Sequence, residues 1–337
     1  MKILTIIIPA YNVERYIDRC LSSVASLEGK GDYLDKIEAI VIDDGSKDGT
    51  AGIAQAYVDR YPGVFSLIRK DNGGHGSCIN TGTGLATGKY LKILDSDDWL
   101  GEDAIPGYLD MLCRSDRDLI ASDFLCVEDG TNRALERKQA APSKDLYGKV
   151  IDLDRYRLEK VVKMHSFTIR TAILKEHFRP IDEGMPYVDQ EFITYPVPYI
   201  KTVLFDGAPL YHYRVGRQGQ SMDRQAYAVN RKRHRETLDS LISFYGEVCG
   251  TMELSGNRMA YLRRCVGDMI DNQFQFYIAA GDQPGVREEL KEWDQGLRVA
   301  YPRLWGSVSK KSIRLLRKTD YKILGIGNKV WRAKKKI

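Results

Sequence analysis

Between residues 3 and 100, short apolar runs rich in β-branched residues alternate with helical patterns, and few architectures accept that alternation. Ile3–Ile8 is continuously apolar, as expected of a strand buried on both faces. From near Glu14 the residues Ile17, Cys20, Leu21 and Val24 recur at helical spacing. A strand at Ile37–Ile42 follows, then a helix carrying Ile53, Ala56 and Tyr57 inward, with Ser46 or Asp48 as its cap. A strand at Val64–Ile68, a helix in the second half of DNGGHGSCINTGTGLATG and a strand at Tyr90–Leu94 complete the series. Alternating elements with short connections predict an α/β fold, a doubly wound parallel sheet with right-handed crossovers.

In such sheets ligands bind beyond the carboxyl ends of the strands. PAYN, DDGS, NGGHGS and DSDD all fall there. The last motif places Asp95, Asp97 and Asp98 directly after an apolar strand. Three carboxylates in four positions repel one another and lose solvation unless a cation or a hydroxyl-rich ligand compensates. Hard divalent cations such as Mg²⁺ and Mn²⁺ suit oxygen ligands and bridge carboxylates to phosphates. The alternative is a solvated acidic turn that caps the next helix. Four polar motifs on one sheet edge favour the ligand site.

A chain of 337 residues is long enough for one large domain plus a smaller one, or for two domains. Its six cysteines are scattered without a CxxC pair, which reads as reduced thiols in a cytosolic protein. The opening MKILTIIIPAYN is too short in its apolar run for a leader. No segment offers the roughly 18 apolar residues that a membrane span needs. The formal charge of +5 is a property of the tail. Residues 301–337 carry twelve Lys/Arg and one Asp, a net +11, so residues 1–300 are net −6. That distribution argues against a nucleic-acid partner.

The ordered pieces IIIPAYN, YIDRCLSSV, IVIDDGSKDGT and NGGHGSCINTGTGLATGKYLKILDSDDW resemble the family 2 glycosyltransferases. The resemblance implies a bacterial-type, inverting enzyme of the GT-A fold, a Rossmann-like and mostly parallel doubly wound sheet, with a UDP-sugar as the expected donor. It further implies residues 1–221 as the catalytic domain (a nucleotide-binding half to residue 100, an acceptor half after it). Residues 222–337 then form a helical subdomain. Pro9, Ala10 and Tyr11 are expected to line the nucleotide pocket, and Asp44 to accept the uracil N3–H. Asn72, Gly73, Ser77, Asn80 and Ser96 are carried over as donor-site residues. His75 reads either as a solvated loop residue or as a donor to the diphosphate or a sugar hydroxyl. Asp95 is expected to face the ribose or diphosphate, and Asp97, with Asp95, to hold Mn²⁺ or Mg²⁺. Asp98 reads as a support or a cap.

In PIDEGMPYVDQEF the family's acidic motif lacks its first acid, since Val188 stands there. The general base is carried to Asp189, with Glu191 in reserve; the competing role for Asp189 is a helix N-cap. Arg214, Arg217 and the pair Gln220-Ser221 are candidates for diphosphate contacts, a task for which bidentate guanidinium is suited. The competing role for the arginines is packing over Tyr211 and Tyr213. Residues 128–150 read as an irregular excursion or lid, and long helices follow Asp223, with RKRHR at 231–235 as a charged helix face.

The implied activity is transfer of a sugar to a saccharide or lipid-linked acceptor, in the synthesis of cell-surface polysaccharide or glycoconjugate. A nucleotidyltransferase is the rival enzyme, although that class usually opens with a Gly-rich loop where this chain has PAYN. An inactive nucleotide-binding scaffold is the rival outside enzymes. Residues 310–337 interleave basic residues with Ile313, Leu315, Leu316, Ile326, Val330 and Trp331. That pattern suits either an anionic membrane surface, placing the protein at the inner face of the plasma membrane, or packing on the helical subdomain. Gly325 and Gly327 are expected to interrupt a tail helix.

Overall fold

The computed structural model describes residues 1–216, 227–281, 283–308 and 310–335. The chain divides into two compact units, Met1–Arg217 and Gln218–Ile337.

In the first unit, β1 (Leu4–Ala10), α1 (Ile17–Ala25), β2 (Ile37–Asp43), α2 (Thr50–Arg60), β3 (Phe65–Arg69), α3 (Gly74–Leu85) and β4 (Tyr90–Ile93) follow the predicted alternation. β1 pairs in parallel with β2 and with β4, and β2 pairs in parallel with β3. Every residue of β1 is buried, and α1 buries Ile17, Cys20, Leu21 and Val24. Because the parallel strands run the same way, their carboxyl ends bring Ala10, Asp43 and Leu94 to one edge.

The second half supplies β5 (Trp99–Leu100), α4 (Ile105–Arg114), β6 (Leu119–Glu128), β7 (Ala134–Lys138), β8 (Val150–Asp152), β9 (Phe167–Arg170), α5 (Thr171–Glu176), α6 (Asp189–Thr194) and β10 (Thr202–Val215). The sheet order is β3-β2-β1-β4-β9-β6-β10-β5, with β7 on β6 and β8 on β10. β9 runs antiparallel to both β4 and β6, so the parallel character belongs to the first half and the second is mixed. β7 lies inside the stretch expected to be irregular. It is an edge strand that is almost wholly exposed, so no apolar alternation marks it in the sequence. β10 continues well beyond Phe205, past Gly207 and Pro209. Register shifts at Asp206, Pro209 and Tyr211 absorb both residues.

The second unit is helical: α7 (Tyr227–Thr251), α8 (Gly256–Ala280), α9 (Val286–Ala300), α10 (Pro302–Ser307), α11 (Lys311–Lys318) and α12 (Leu324–Lys335). α8 is its centre, with Leu262, Val266, Ile270, Phe274 and Tyr277 buried. The RKRHR stretch is only partly a solvated face, because His234 is buried and its Nδ1 meets Gln273 Oε1 at 2.5 Å. The break in the tail also departs from expectation. It falls before α12, where Asp320 and Tyr321 take φ of 50° and 61°, while Gly325 and Gly327 lie within α12. A Cβ at Gly327 would meet Ile278 at 3.8 Å, so that glycine sits on the face α12 lays against α8. Among the described residues no helix is long and apolar enough to cross a membrane.

Candidate active site

The acidic turn after β4 is held from the far end of β10. The Asp95 backbone N–H donates to Tyr211 Oη at 3.1 Å, and that hydroxyl donates to Asp98 Oδ2 at 2.6 Å. The Arg214 backbone N–H donates to Asp98 Oδ1 at 2.7 Å, and Arg214 Nε to the Asp97 carbonyl at 2.9 Å. Asp98 is therefore a buried anchor of the turn. Burial, then the charges of Asp97 and Asp95, push its carboxyl well above the ordinary range.

Arg214, expected either at the diphosphate or packed over Tyr211 and Tyr213, has its guanidinium among other groups. Its guanidinium donates to Asp129 at 3.1 Å and to Asn132 at 3.2 Å, and packs over the rings of Trp99 and Tyr16 at 4.9 and 5.0 Å. The side chain is buried. An arginine with this many fixed partners is a staple between the acidic turn and the β6–β7 connection. Arg217, Gln220 and Ser221 lie outside the described residues.

His75 is not a solvated loop residue. As the second residue of α3 it meets Asp95 Oδ1 through Nε2 at 2.9 Å. Burial alone would lower its proton affinity, but the bond to Asp95 and the charges of Asp95, Asp189 and Asp97 outweigh that and raise it. The same pairing overcomes burial at Asp95 and lowers its pKa. Asp189 opens α6 and is half-buried; the N-cap is Val188, so Asp189 is not itself the cap. Its carboxylate accepts from Gln190 Nε2 at 2.9 Å. Burial raises its pKa, with His75 and Lys163 opposing and Asp95 reinforcing the rise. Asp189, His75 and Asp95 thus share one electrostatic neighbourhood. Just before α6, Tyr187 sits at a φ of 66°, a strained conformation for an aromatic residue.

Several other expected site residues turn out to build the frame. Glu191, the reserve base, is fully buried, and both its oxygens are committed. Oε2 accepts the Asp182 N–H at 2.8 Å and Oε1 the Tyr195 hydroxyl at 2.9 Å. Its place on the inner face of a short helix forces this role. Asn80 clamps the backbone of Ile181 in both directions at 2.9 Å. Ser77 Oγ bonds Lys70 Nζ and the Gly74 carbonyl, each at 2.9 Å. Asp44 accepts from Lys70 Nζ and the backbone N–H groups of Gly73 and Gly74 at 2.8–2.9 Å. Three donors leave its carboxylate at most about one acceptor position for a base, and its first task is to hold the start of α3. Pro9 and Ala10 end the buried β1, Tyr11 is half exposed beyond it, Asn72 is exposed and Ser96 is buried.

Three participants lacked a motif. Lys70 fastens Asp44 to α3. Lys92, fully buried in β4, donates to the His165 carbonyl at 2.7 Å and lies over the Tyr211 ring. Burial lowers its pKa to about 7. A lone charge in the apolar run YLKIL is the signal that could have marked it. His165 stands beside Tyr211 and Tyr213, and burial lowers its pKa to about 4. Ligand atoms of Asp95, Asp98 and His165 lie within 4.8 Å of one another, and His165 Nδ1 is buried with no hydrogen-bond partner among the described residues. Carboxylate oxygens fit a hard divalent cation; Asp95 is the member of this cluster that belongs to the expected metal pair, while the Asp98 oxygens are taken by Tyr211 and the Arg214 N–H.

The family described as Glycosyl transferase family 2 matches residues 5–178. EpsH of Bacillus subtilis (strain 168) is 26% identical over 221 residues, covering 63% of this chain and 60% of that protein. Chondroitin synthase of Escherichia coli is 34% identical over 172 residues, 51% of this chain but 23% of that protein. The crystal structure of S. aureus TarS 1-349 in complex with UDP-GlcNAc superposes with a TM-score of 0.68 at 20% identity, covering 99% of this chain and 92% of that one. That likeness carries the fold, a GT-A sheet followed by helices. The family match spans more than half the chain and takes in every acidic motif from DDGS to DSDD: the chain belongs to glycosyl transferase family 2.

Proposed function

We propose that this protein is an inverting glycosyltransferase that moves a sugar from a UDP-sugar to a hydroxyl of a saccharide or lipid-linked acceptor, in the synthesis of a cell-surface glycan. The observation that carries the reading is the bond of His75 on α3 to Asp95 of the acidic turn, with Asp189 at the start of α6 feeling the charges of both. Two negative groups in one neighbourhood then have separate tasks, one on the acceptor side and one on the leaving-group side. Asp189 takes the proton of the acceptor hydroxyl as its oxygen attacks the anomeric carbon and the bond to the diphosphate breaks. A carboxyl raised by burial is a stronger base, and His75, whose proton affinity the bond to Asp95 raises, opposes that rise. In this reading His75 also faces the developing negative charge of the diphosphate. Asp97 and Asp95 would hold Mn²⁺ or Mg²⁺, which supplies neutralisation of that charge. The UDP-GlcNAc bound to the TarS structure supports uridine as the nucleoside.

Release of UDP from a panel of UDP-sugars, followed by luminescence, tests the reading. Asp189→Asn is expected to lower turnover by roughly 10²-fold or more while UDP binding is retained. Asp97→Ala is expected to abolish the Mn²⁺-dependent part of UDP binding in calorimetry. Unchanged turnover in the first variant would remove Asp189 as the base, and unchanged metal-dependent affinity in the second would remove the metal assignment.

A further inference from the structure

The two tail helices each divide into an inner and an outer face. On the inner side Ile313, Leu316, Tyr321 and Leu324 are buried. Arg317 grips Asp294 through Nε and Nη2 at 2.8 and 2.7 Å, and Asn328 Nδ2 donates to the carbonyls of Ile278 and Ala279 at 2.9 Å. The segment is thus a fixed part of the helical unit. On the outer side of α11, Lys311, Arg314, Leu315 and Lys318 are all exposed, at the i, i+3, i+4, i+7 spacing of one stripe. On α12, Ile326, Lys329 and Val330 repeat the arrangement. Leu315, Ile326 and Val330 are 52%, 62% and 49% exposed.

Charge complementarity names the occupant. Residues 310–337 carry eleven Lys/Arg against one acid, Asp320, and Asp320 is already paired with Lys291 at 2.7 Å. No carboxylate is left on the segment to neutralise the outer cations. A soluble polyanion would need only those cations, whereas apolar side chains raised among them match the boundary between headgroups and acyl chains. We propose that the outer stripes of α11 and α12 dock on an anionic lipid surface, cations at the phosphates and Leu315, Ile326 and Val330 in the interface. The helices are already formed and held by the unit, so binding requires no folding of the segment, unlike an amphipathic tail that orders on the membrane.

Flotation of the full chain with phosphatidylglycerol–phosphatidylcholine vesicles tests this, with pure phosphatidylcholine vesicles as the control and inorganic polyphosphate as a soluble competitor. The expected result is flotation with the anionic vesicles at low salt and release near 1 M salt, where screening shortens to about 3 Å. K311Q/R314Q/K318Q should weaken partitioning about 10²-fold, near fivefold for each cation removed. L315S/I326S/V330S should weaken it about tenfold or more. Circular dichroism should gain no helix on vesicle addition, and UDP release with a soluble acceptor should be the same in both variants and the parent. Absence of flotation at low salt overturns the proposal. So does binding that ignores the apolar variant and is matched by polyphosphate, which would make the face a polyanion site. Flotation is read without turnover, so its outcome is independent of the transfer reaction.

Discussion

Glu191→Gln separates a structural carboxylate from a catalytic one. Burial raises the Glu191 carboxyl from its ordinary 4.5 to about 7, against the lowering effect of its bonds from Asp182 and Tyr195. The folded chain therefore holds this proton more tightly than the unfolded one. Its contribution to stability is complete below pH 4.5 and is lost as pH rises toward 7. A difference of this size corresponds to roughly 3 kcal/mol. Glutamine cannot ionise, so the stability of the variant relative to the parent should rise by about that amount between pH 4.5 and pH 8. For a unit of this size the thermal midpoint at pH 8 should gain about 6–12 °C relative to the comparison at pH 4.5. Scanning calorimetry of both proteins at half-unit pH intervals, with UDP release at pH 7.5, is the assay. A pH-independent difference would refute the buried-carboxylate argument. A loss of turnover of 10²-fold or more in a variant that has gained stability would transfer the base from Asp189 to Glu191.

The remaining predictions concern packing. A Cβ on Gly76 would stand 2.2 Å from the Asp182 carbonyl oxygen, so Gly76→Ala should cost about 1–3 kcal/mol or more and displace His75 beside it; a thermal midpoint within 1 °C of the parent would sink this. Arg317→Met leaves Asp294 buried with only a neutral hydroxyl, that of Tyr321, in place of its cation and should cost the helical unit about 3–5 kcal/mol in urea unfolding. The double variant with Asp294→Leu should recover most of that loss, and a single-variant cost below about 1 kcal/mol would remove the pair from the account.

The first half of the sheet was legible because each strand is buried on both faces, so Ile3–Ile8 and Ile37–Ile42 declare themselves without any tertiary knowledge. The edge strand β7 carries no such mark, and Gly207 and Pro209 hide the continuity of β10 behind residues that ordinarily end strands. The acidic turn was legible as chemistry, but its supports were not. Tyr211 and Arg214 reach it through a bulge whose register no local pattern encodes. Asp44, Asn80 and Glu191 show the opposite limit. Each has the chemistry of a binding residue, and each is taken by the backbone of a neighbouring loop, a competition that only the folded geometry decides. In the tail the apolar spacing left packing and membrane contact open, and the structure divides the residues between an inner and an outer set.

The anchoring of Asp98 by Arg214 joins residues 116 positions apart, and that separation has a consequence for synthesis. At about 5–20 residues per second, roughly 6–23 s pass between the emergence of the acidic turn and the arrival of its anchors. Throughout that interval the nascent chain carries three neighbouring carboxylates with neither Tyr211 nor Arg214 to fix them. The first half of the sheet, with its acidic turn, therefore cannot mature as an independent early product. It waits on the last strand of its own sheet, and a ribosome stalled before residue 211 releases a chain without a closed acidic turn.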